Sequence, residues 1–185
     1  MLEIIIQGRG GQGAQTAGNL LAMAFFAQGK QVQAFASYGG ARRGTPVSSF
    51  LRVDERPIRL RCDIERADAI LCFDATLLQG ALLAAADNET LIVVNSARSA
   101  AEFRETLPGY RVVPVDGLAI SRCLGLGRIV NSALLGGLAC AVGDPPLPLL
   151  EKLLLVESPK LRDENVAACT EGWLAVDTQL QETAS

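Results

Sequence analysis

The chain has 185 residues, 49% of them apolar and 20% charged, with a net charge of −3. That balance sustains a hydrophobic core and excludes a disordered chain, while the acidic pI near 5.1 speaks against a nucleic-acid binder, which carries a basic footprint. Histidine is absent, which removes the commonest general base and the commonest neutral metal ligand.

Leu2, Ile4, Ile5 and Ile6 predict a short central, parallel strand. Behind it stands Gly8-Arg9-Gly10-Gly11-Gln12-Gly13, and then Ala17, Leu20, Leu21, Ala24 and Phe25 recur at helical spacing up to a stop at Gly29. The order is strand, glycine loop, helix. Glycines permit a tight turn and let backbone N–H groups approach an anion, and the helix N-terminus adds a partial positive charge. This points to a phosphate-bearing ligand; a tight strand-to-helix turn that binds nothing accounts for the same residues.

Residues 31–36 read as a second strand, completing a βαβ unit. A dinucleotide site asks for an Asp or Glu at its end to hold the ribose, and no acidic residue occurs between Glu3 and Asp54. This speaks against NAD or FAD, whereas Arg42 and Arg43 suit a 2′-phosphate, so a stand-alone NADP-binding Rossmann-like oxidoreductase stays open. The stretch Ser37-Tyr38-Gly39-Gly40-Ala41-Arg42-Arg43-Gly44-Thr45-Pro46 is glycine-rich and carries two arginines, whose planar forks grip phosphate or carboxylate. It follows the second strand and so shares the first loop's carboxyl edge, where ligands of open α/β sheets bind. A solvated turn is the alternative.

Residues 47–53 and 58–61 alternate around a turn at Asp54-Glu55-Arg56-Pro57 and read as a β-hairpin inserted into the α/β pattern. Three further βα units follow. Residues 69–73 end at Asp74 before an Ala/Leu helix reaching Ala86. Residues 91–94 end at Asn95-Ser96 before a short helix around 100–105. Residues 111–115 end at Asp116 before a helical run through Leu124. Asp74, Asn95 and Asp116 then line the carboxyl edge as ligand groups or, preferably, as helix N-caps. Asn131 opens an apolar helix as its cap, and Gly136-Gly137 inside it calls for close packing. After a break at Asp144-Pro145-Pro146, helices are expected over 147–156 and 160–177. The fold class is α/β, a Rossmann-like mostly parallel sheet flanked by helices, in a single domain over residues 1–178. Residues 179–185 form a polar, fraying tail.

Cys62, Cys72, Cys123, Cys140 and Cys169 form no CxxC pair and no zinc or cluster spacing. They read mostly as core thiols in a reducing compartment. Glu3 and Gln7 interrupt the N-terminus, and no apolar run is both long and unbroken enough to span a bilayer. The expected location is therefore cytoplasmic, without membrane or nucleic-acid partners. No nucleophile–base pair with histidine can be assembled, and no catalytic residue is assigned.

Taken together, the glycine loop 8–13, Ser37-Tyr38-Gly39 leading to Arg43-Gly44, the strand pair around Asp54 and Pro57-Ile58, and then Asp74, Asn95-Ser96, Asp116 and the Asn131 helix resemble the gamma subunit of 2-oxoacid:acceptor oxidoreductases. Pyruvate:ferredoxin oxidoreductase is the familiar member. The resemblance covers nearly the whole chain in order. It implies a multi-subunit enzyme that decarboxylates a 2-oxoacid oxidatively to an acyl-CoA. Thiamine diphosphate and Mg would reside in alpha and beta subunits, and iron–sulfur clusters mainly in a ferredoxin-like delta subunit. The gamma chain would support assembly and coenzyme A access, and would be inactive alone; a purely structural scaffold is the bland version. Carried over, the coenzyme A contacts are Gly8, Arg9, Gly10, Gly11, Gln12 and Gly13 from the first loop. The second loop would add Ser37, Tyr38, Arg42, Arg43 and Gly44. The chain departs from many relatives at Gly40-Ala41, where they have Pro-Glu.

Overall fold

Six apolar segments make one sheet: β1 (Leu2–Arg9), β2 (Gln31–Tyr38), β3 (Pro46–Asp54), β4 (Ala69–Cys72), β5 (Leu91–Asn95) and β6 (Arg111–Val115). They come from a computed structural model that describes residues 1–38 and 45–184. The spatial order is β2-β3-β1-β4-β5-β6. β1, β4, β5 and β6 run parallel, and β3 is antiparallel to both β1 and β2. β1 is central, as its apolar run requires. Its Ile4 and Ile6 enter one core and Ile5 the other, all at most 3% exposed.

The helices are α1 (Ala14–Ala27), α2 (Ala81–Ala84), α3 (Ala100–Thr106), α4 (Gly117–Cys123), α5 (Asn131–Val142), α6 (Leu147–Glu157) and α7 (Arg162–Ala184). The core on the Ile4/Ile6 face takes residues from α1, α5, α6 and α7; the core on the Ile5 face takes Leu82 of α2 and Phe103 of α3. Helices on both faces of a mostly parallel sheet are the expected α/β architecture. Because β1 sends its chain to α1 on one face and β4 leads to α2 on the other, the carboxyl ends of β1 and β4 flank the switch-point crevice.

Close packing at Gly136 is as anticipated, and α7 answers it with a glycine of its own. A Cβ on Gly136 would lie 2.0 Å from the Cys169 carbonyl oxygen, and one on Gly172 would lie 1.9 Å from that of Ala133. The two backbones touch where side chains are missing.

Several expectations are corrected. The hairpin joins β2 to β3; residues 58–61 form no strand. β3 is paired along both edges, by β1 and β2, so no ladder remains for 58–61, and β2 is separated from β1 rather than beside it. Residues 58–63 are held by side chains instead, Gln33 donating from Nε2 to the Leu60 carbonyl at 2.6 Å. The buried Arg52 guanidinium, 1% exposed, donates to the carbonyls of Cys62 (2.8 Å) and Asp63 (3.2 Å), to Gln33 Oε1 (3.1 Å) and to Glu3 Oε1 (2.7 Å). After Asp74 the chain makes a 3-10 turn (Ala75–Leu77) and only then the four-residue α2. Gly80, at φ +55, breaks the run between them.

Asn131 does not cap its helix: Val130 is the N-cap, without a side-chain bond. Helix α7 continues through Ala184, over most of the stretch expected as a polar tail. Gln179 donates from Nε2 to the carbonyls of Pro114 (2.9 Å) and Ala175 (3.0 Å), tying that end to β6. Of the cysteines, 72, 140 and 169 are buried, whereas Cys62 and Cys123 are exposed.

Candidate functional site

β1 ends at Arg9 and α1 begins at Ala14, with only a four-residue loop between. Two positive φ angles make that turn, +93 at Gly11 and +91 at Gly13, values that favour glycine. Gln12 fastens the loop to itself: its N–H donates to the Arg9 carbonyl (2.9 Å), and its Oε1 accepts from the Arg9 N–H (2.6 Å). Gly10 N–H donates to the Thr45 carbonyl (2.9 Å), which brings the start of β3 alongside.

Gly13 is the N-cap of α1, and its carbonyl accepts the first helical bond from Ala17 (3.0 Å). The N–H groups of Ala14, Gln15 and Thr16 precede that bond and have no partner within the helix. Gly13 supplies no side-chain cap, and the first turn contains no acid. The positive end of the dipole is thus left uncompensated by its own helix. Asn131 of α5 reaches the same point, donating from Nδ2 to the Gly13 carbonyl at 3.3 Å. A Cβ on Gly13 would stand 2.2 Å from that nitrogen, so glycine is what admits the contact.

This N-terminus opens into a cleft of about 460 Å³ lined by Arg9, Gly10, Gly11, Gly13, Ala14, Gln15, Thr16, Tyr38, Thr45 and Val47. The Tyr38 hydroxyl donates to Gln15 Oε1 at 2.5 Å, spanning from the end of β2 to α1. A Cβ on Gly11 would meet nothing within 4 Å, so the loop faces open space there.

Arg9 crosses to the next strand. Its Nε donates to Asp74 Oδ2 (2.6 Å) and its Nη2 to Thr76 Oγ1 (2.9 Å); Thr76 in turn donates to Asp74 Oδ1 from both its N–H (3.0 Å) and its hydroxyl (2.6 Å). Burial raises the Asp74 pKa, but the bonds from Thr76 and Arg9 outweigh it and hold the carboxyl below the usual range. Asp74 and Asp116 also act as N-caps, Asp116 accepting from Ala119 N–H at 2.9 Å. Asn95 instead donates to the Phe73 carbonyl at 3.2 Å.

Of the residues predicted for the site, Arg9, Gly10, Gly11, Gly13 and Tyr38 meet in the cleft. Gly8 and Gln12 build the loop from behind; a Cβ on Gly8 would press on Phe73 Cβ at 3.1 Å. Ser37 neighbours Tyr38 on a strand and so points to the opposite face, placing it away from the cleft. Arg42, Arg43 and Gly44 lie outside the described residues. The cleft also takes Gln15 and Thr16, two polar residues that open an otherwise apolar helix and so are a signal readable in the sequence. Among the described residues, no three His, Cys, Asp or Glu side chains gather to hold a metal, and no helix is long and apolar enough to cross a membrane. A larger cleft of about 640 Å³, with Arg104, Tyr110 and Arg111 in its wall, lies beside β6 and the end of α7. It includes Leu91 and Arg111 at the starts of their strands, the end of the sheet opposite to the glycine loop.

Comparison with known proteins finds relatives over most of the chain. Residues 3–175 match the family described as pyruvate ferredoxin/flavodoxin oxidoreductase. The Pyruvate/ketoisovalerate oxidoreductases common subunit gamma of Pyrococcus furiosus is 38% identical over 178 residues, spanning 94% of this chain and 96% of that one. The crystal structure of pyruvate oxidoreductase subunit PORC from Thermotoga maritima superposes with a TM-score of 0.81 at 30% identity, covering 94% of this chain and 95% of that one. A 2-oxoglutarate:ferredoxin oxidoreductase from Magnetococcus marinus, solved with 2-oxoglutarate, coenzyme A and succinyl-CoA bound, gives a TM-score of 0.77. At 19% identity that likeness is one of fold, and it spans 96% of this chain but 31% of the larger one.

Proposed function

The chain belongs to the pyruvate ferredoxin/flavodoxin oxidoreductase family, as a gamma-type subunit of an oxoacid:ferredoxin oxidoreductase, and from that premise we propose that it receives the phosphates of coenzyme A at the N-terminus of α1. The observation that carries this reading is the uncapped start of α1, with no acid in its first turn, facing an open cleft on the carboxyl edge. Orphan N–H groups and the positive dipole end suit an anion. Gly10 and Gly11 let a diphosphate approach the backbone, and Gly11 leaves unfilled the space a Cβ would take. Arg42 and Arg43, which lie outside the described residues, are assigned from the sequence as further phosphate contacts.

The remaining chemistry belongs to other chains. The described residues of this one offer no donor set for a cluster or a metal. Thiamine diphosphate with Mg is assigned to alpha and beta partners, and the iron–sulfur clusters to a ferredoxin-like delta partner. When bound there, the thiamine cofactor supplies 2-oxoacid decarboxylation. This chain's share is to hold coenzyme A so that its thiol reaches that centre and leaves as an acyl-CoA. The isolated chain is then inactive.

In the assembled complex, Arg42→Ala and Arg43→Ala should each raise the coenzyme A KM by about tenfold, the loss of roughly one charge-assisted phosphate contact, and leave the 2-oxoacid KM unchanged. An unchanged coenzyme A KM with altered assembly would favour a scaffold role and sink the binding role.

A further inference from the structure

The cation that Arg9 brings to the cleft is already engaged, and its partner sits on the neighbouring strand. Arg9 ends β1, and Asp74 follows β4, so their 2.6 Å contact bridges the crevice between the two carboxyl ends. The pair is not sealed: the Arg9 side chain is 41% exposed and that of Asp74 22%. Thr76 holds both partners, donating to the carboxylate and accepting from the guanidinium. The same Arg9 lines the cleft into which the α1 N-terminus opens. A diphosphate there offers more charge than one carboxylate, and its oxygens can accept both the Nε bond now given to Asp74 and the Nη2 bond now given to Thr76.

We propose that Asp74 is an exchangeable counter-ion: it holds Arg9 at the edge of the cleft, and an incoming diphosphate takes Arg9 over from it. The inference rests on the anion-site reading above. Arg9 is the ligand contact, and Asp74 is a positioning residue that acts through it. The exchange breaks one ion pair and forms another, with no covalent step. Its consequence is a built-in discrimination. A singly charged anion cannot outbid Asp74, whereas a diphosphate can, so the site selects for phosphate density.

The test is calorimetric titration of the full chain with inorganic pyrophosphate at low ionic strength, where screening is weak. Asp74→Asn should tighten binding about tenfold, since Arg9 no longer has to be won from a carboxylate. Thr76→Val, which loosens the same pair without altering charge, should tighten it less. Arg9→Met should weaken binding, and Asp74→Asn added to Arg9→Met should then change it by less than about twofold. If Asp74→Asn gives an equal gain with and without Arg9, the carboxylate merely repels the ligand, and exchange is overturned. It is likewise overturned if Asp74→Asn or Thr76→Val leaves binding unchanged or weaker. If pyrophosphate does not bind the unaltered chain or any variant at millimolar concentration, the anion-site reading itself fails, and the exchange falls with it.

Discussion

Arg52 is the residue that fastens the irregular segment after β3 to the sheet. It sits at 1% exposure on the Ile5 face of β3 and binds the carbonyls of Cys62 and Asp63, the Gln33 amide and the Glu3 carboxylate. A buried arginine earns no stability from charge alone, because desolvation offsets most of the Coulomb attraction. Its worth lies in satisfying acceptors that would otherwise be stranded between the sheet and the 55–63 segment. Removing it should therefore cost far more than an exposed ion pair. Arg52→Met should lose about 3 kcal/mol, read as a fall in Tm of roughly 6–12 °C for a chain of this size. Breaking Arg66 with Asp87, where the arginine side chain is 81% exposed, should leave Tm nearly unchanged, because solvent screens an exposed pair. The sequence shows an arginine in an alternating strand but not which face it takes or what it meets. Ser37 is the opposite lesson. Alternation alone puts it on the face away from Tyr38, so its exclusion from the cleft is legible in the sequence even though its place in a motif suggests a contact.

At the scale of elements, apolar runs and helical spacing locate the strands of the sheet and most helices, because burial on two faces leaves a strong pattern in the central strands. Neighbours are less legible. The 47–53 alternation reveals a strand but not its partner, and the nearest alternating segment, 58–61, was the wrong one; β2 has the longer ladder, from Gln31↔Asp54 to Tyr38↔Val47. Asn131 reads as a cap because asparagine is a good one, whereas its role depends on a Gly13 that is distant in sequence. The extended α7 has a similar cause. Ser96 N–H donates to the Val115 carbonyl, so Val115 faces β5 and Pro114 faces the open edge. Proline offers no donor there, and Gln179 covers its carbonyl, which protects β6 from pairing with another strand. The close crossing of α5 and α7 gives a direct check. Gly136→Ala would set a Cβ 2.0 Å from a backbone oxygen and should cost about 3 kcal/mol through forced separation of the helices. Gly29→Ala, at φ +84 with nothing within 4 Å, should cost only the left-handed strain of about 1–2 kcal/mol. Equal losses in thermal unfolding would contradict the packing argument.

Across the whole molecule, the two cores divide the five cysteines by reactivity. Burial pushes the Cys72 and Cys169 thiols up to about 12 and Cys140 up to about 11, while Cys62 and Cys123 are exposed. A native thiol titration should release two groups quickly and all five only on unfolding. A folded-state pKa raised above the unfolded value contributes stability that is complete below the unfolded pKa and is lost as pH rises toward the folded one. The fold should accordingly weaken between about pH 9 and 12, and Cys72→Ala with Cys169→Ala should flatten that decline. Rapid labelling of three or more native thiols would refute the burial. The same sheet that hides these thiols sets its carboxyl edge open at the glycine loop, and the central claim is that coenzyme A enters there. Its most direct test is the dissociation constant for coenzyme A in the assembled complex carrying Gly11→Asp or Gly11→Asn. Both substitutions meet the same φ of +93 and the same open space, and they differ by one negative charge. The account predicts at least about tenfold weaker binding for Gly11→Asp than for Gly11→Asn, with the 2-oxoacid KM alike in both. Equal coenzyme A affinity in the two variants would contradict it.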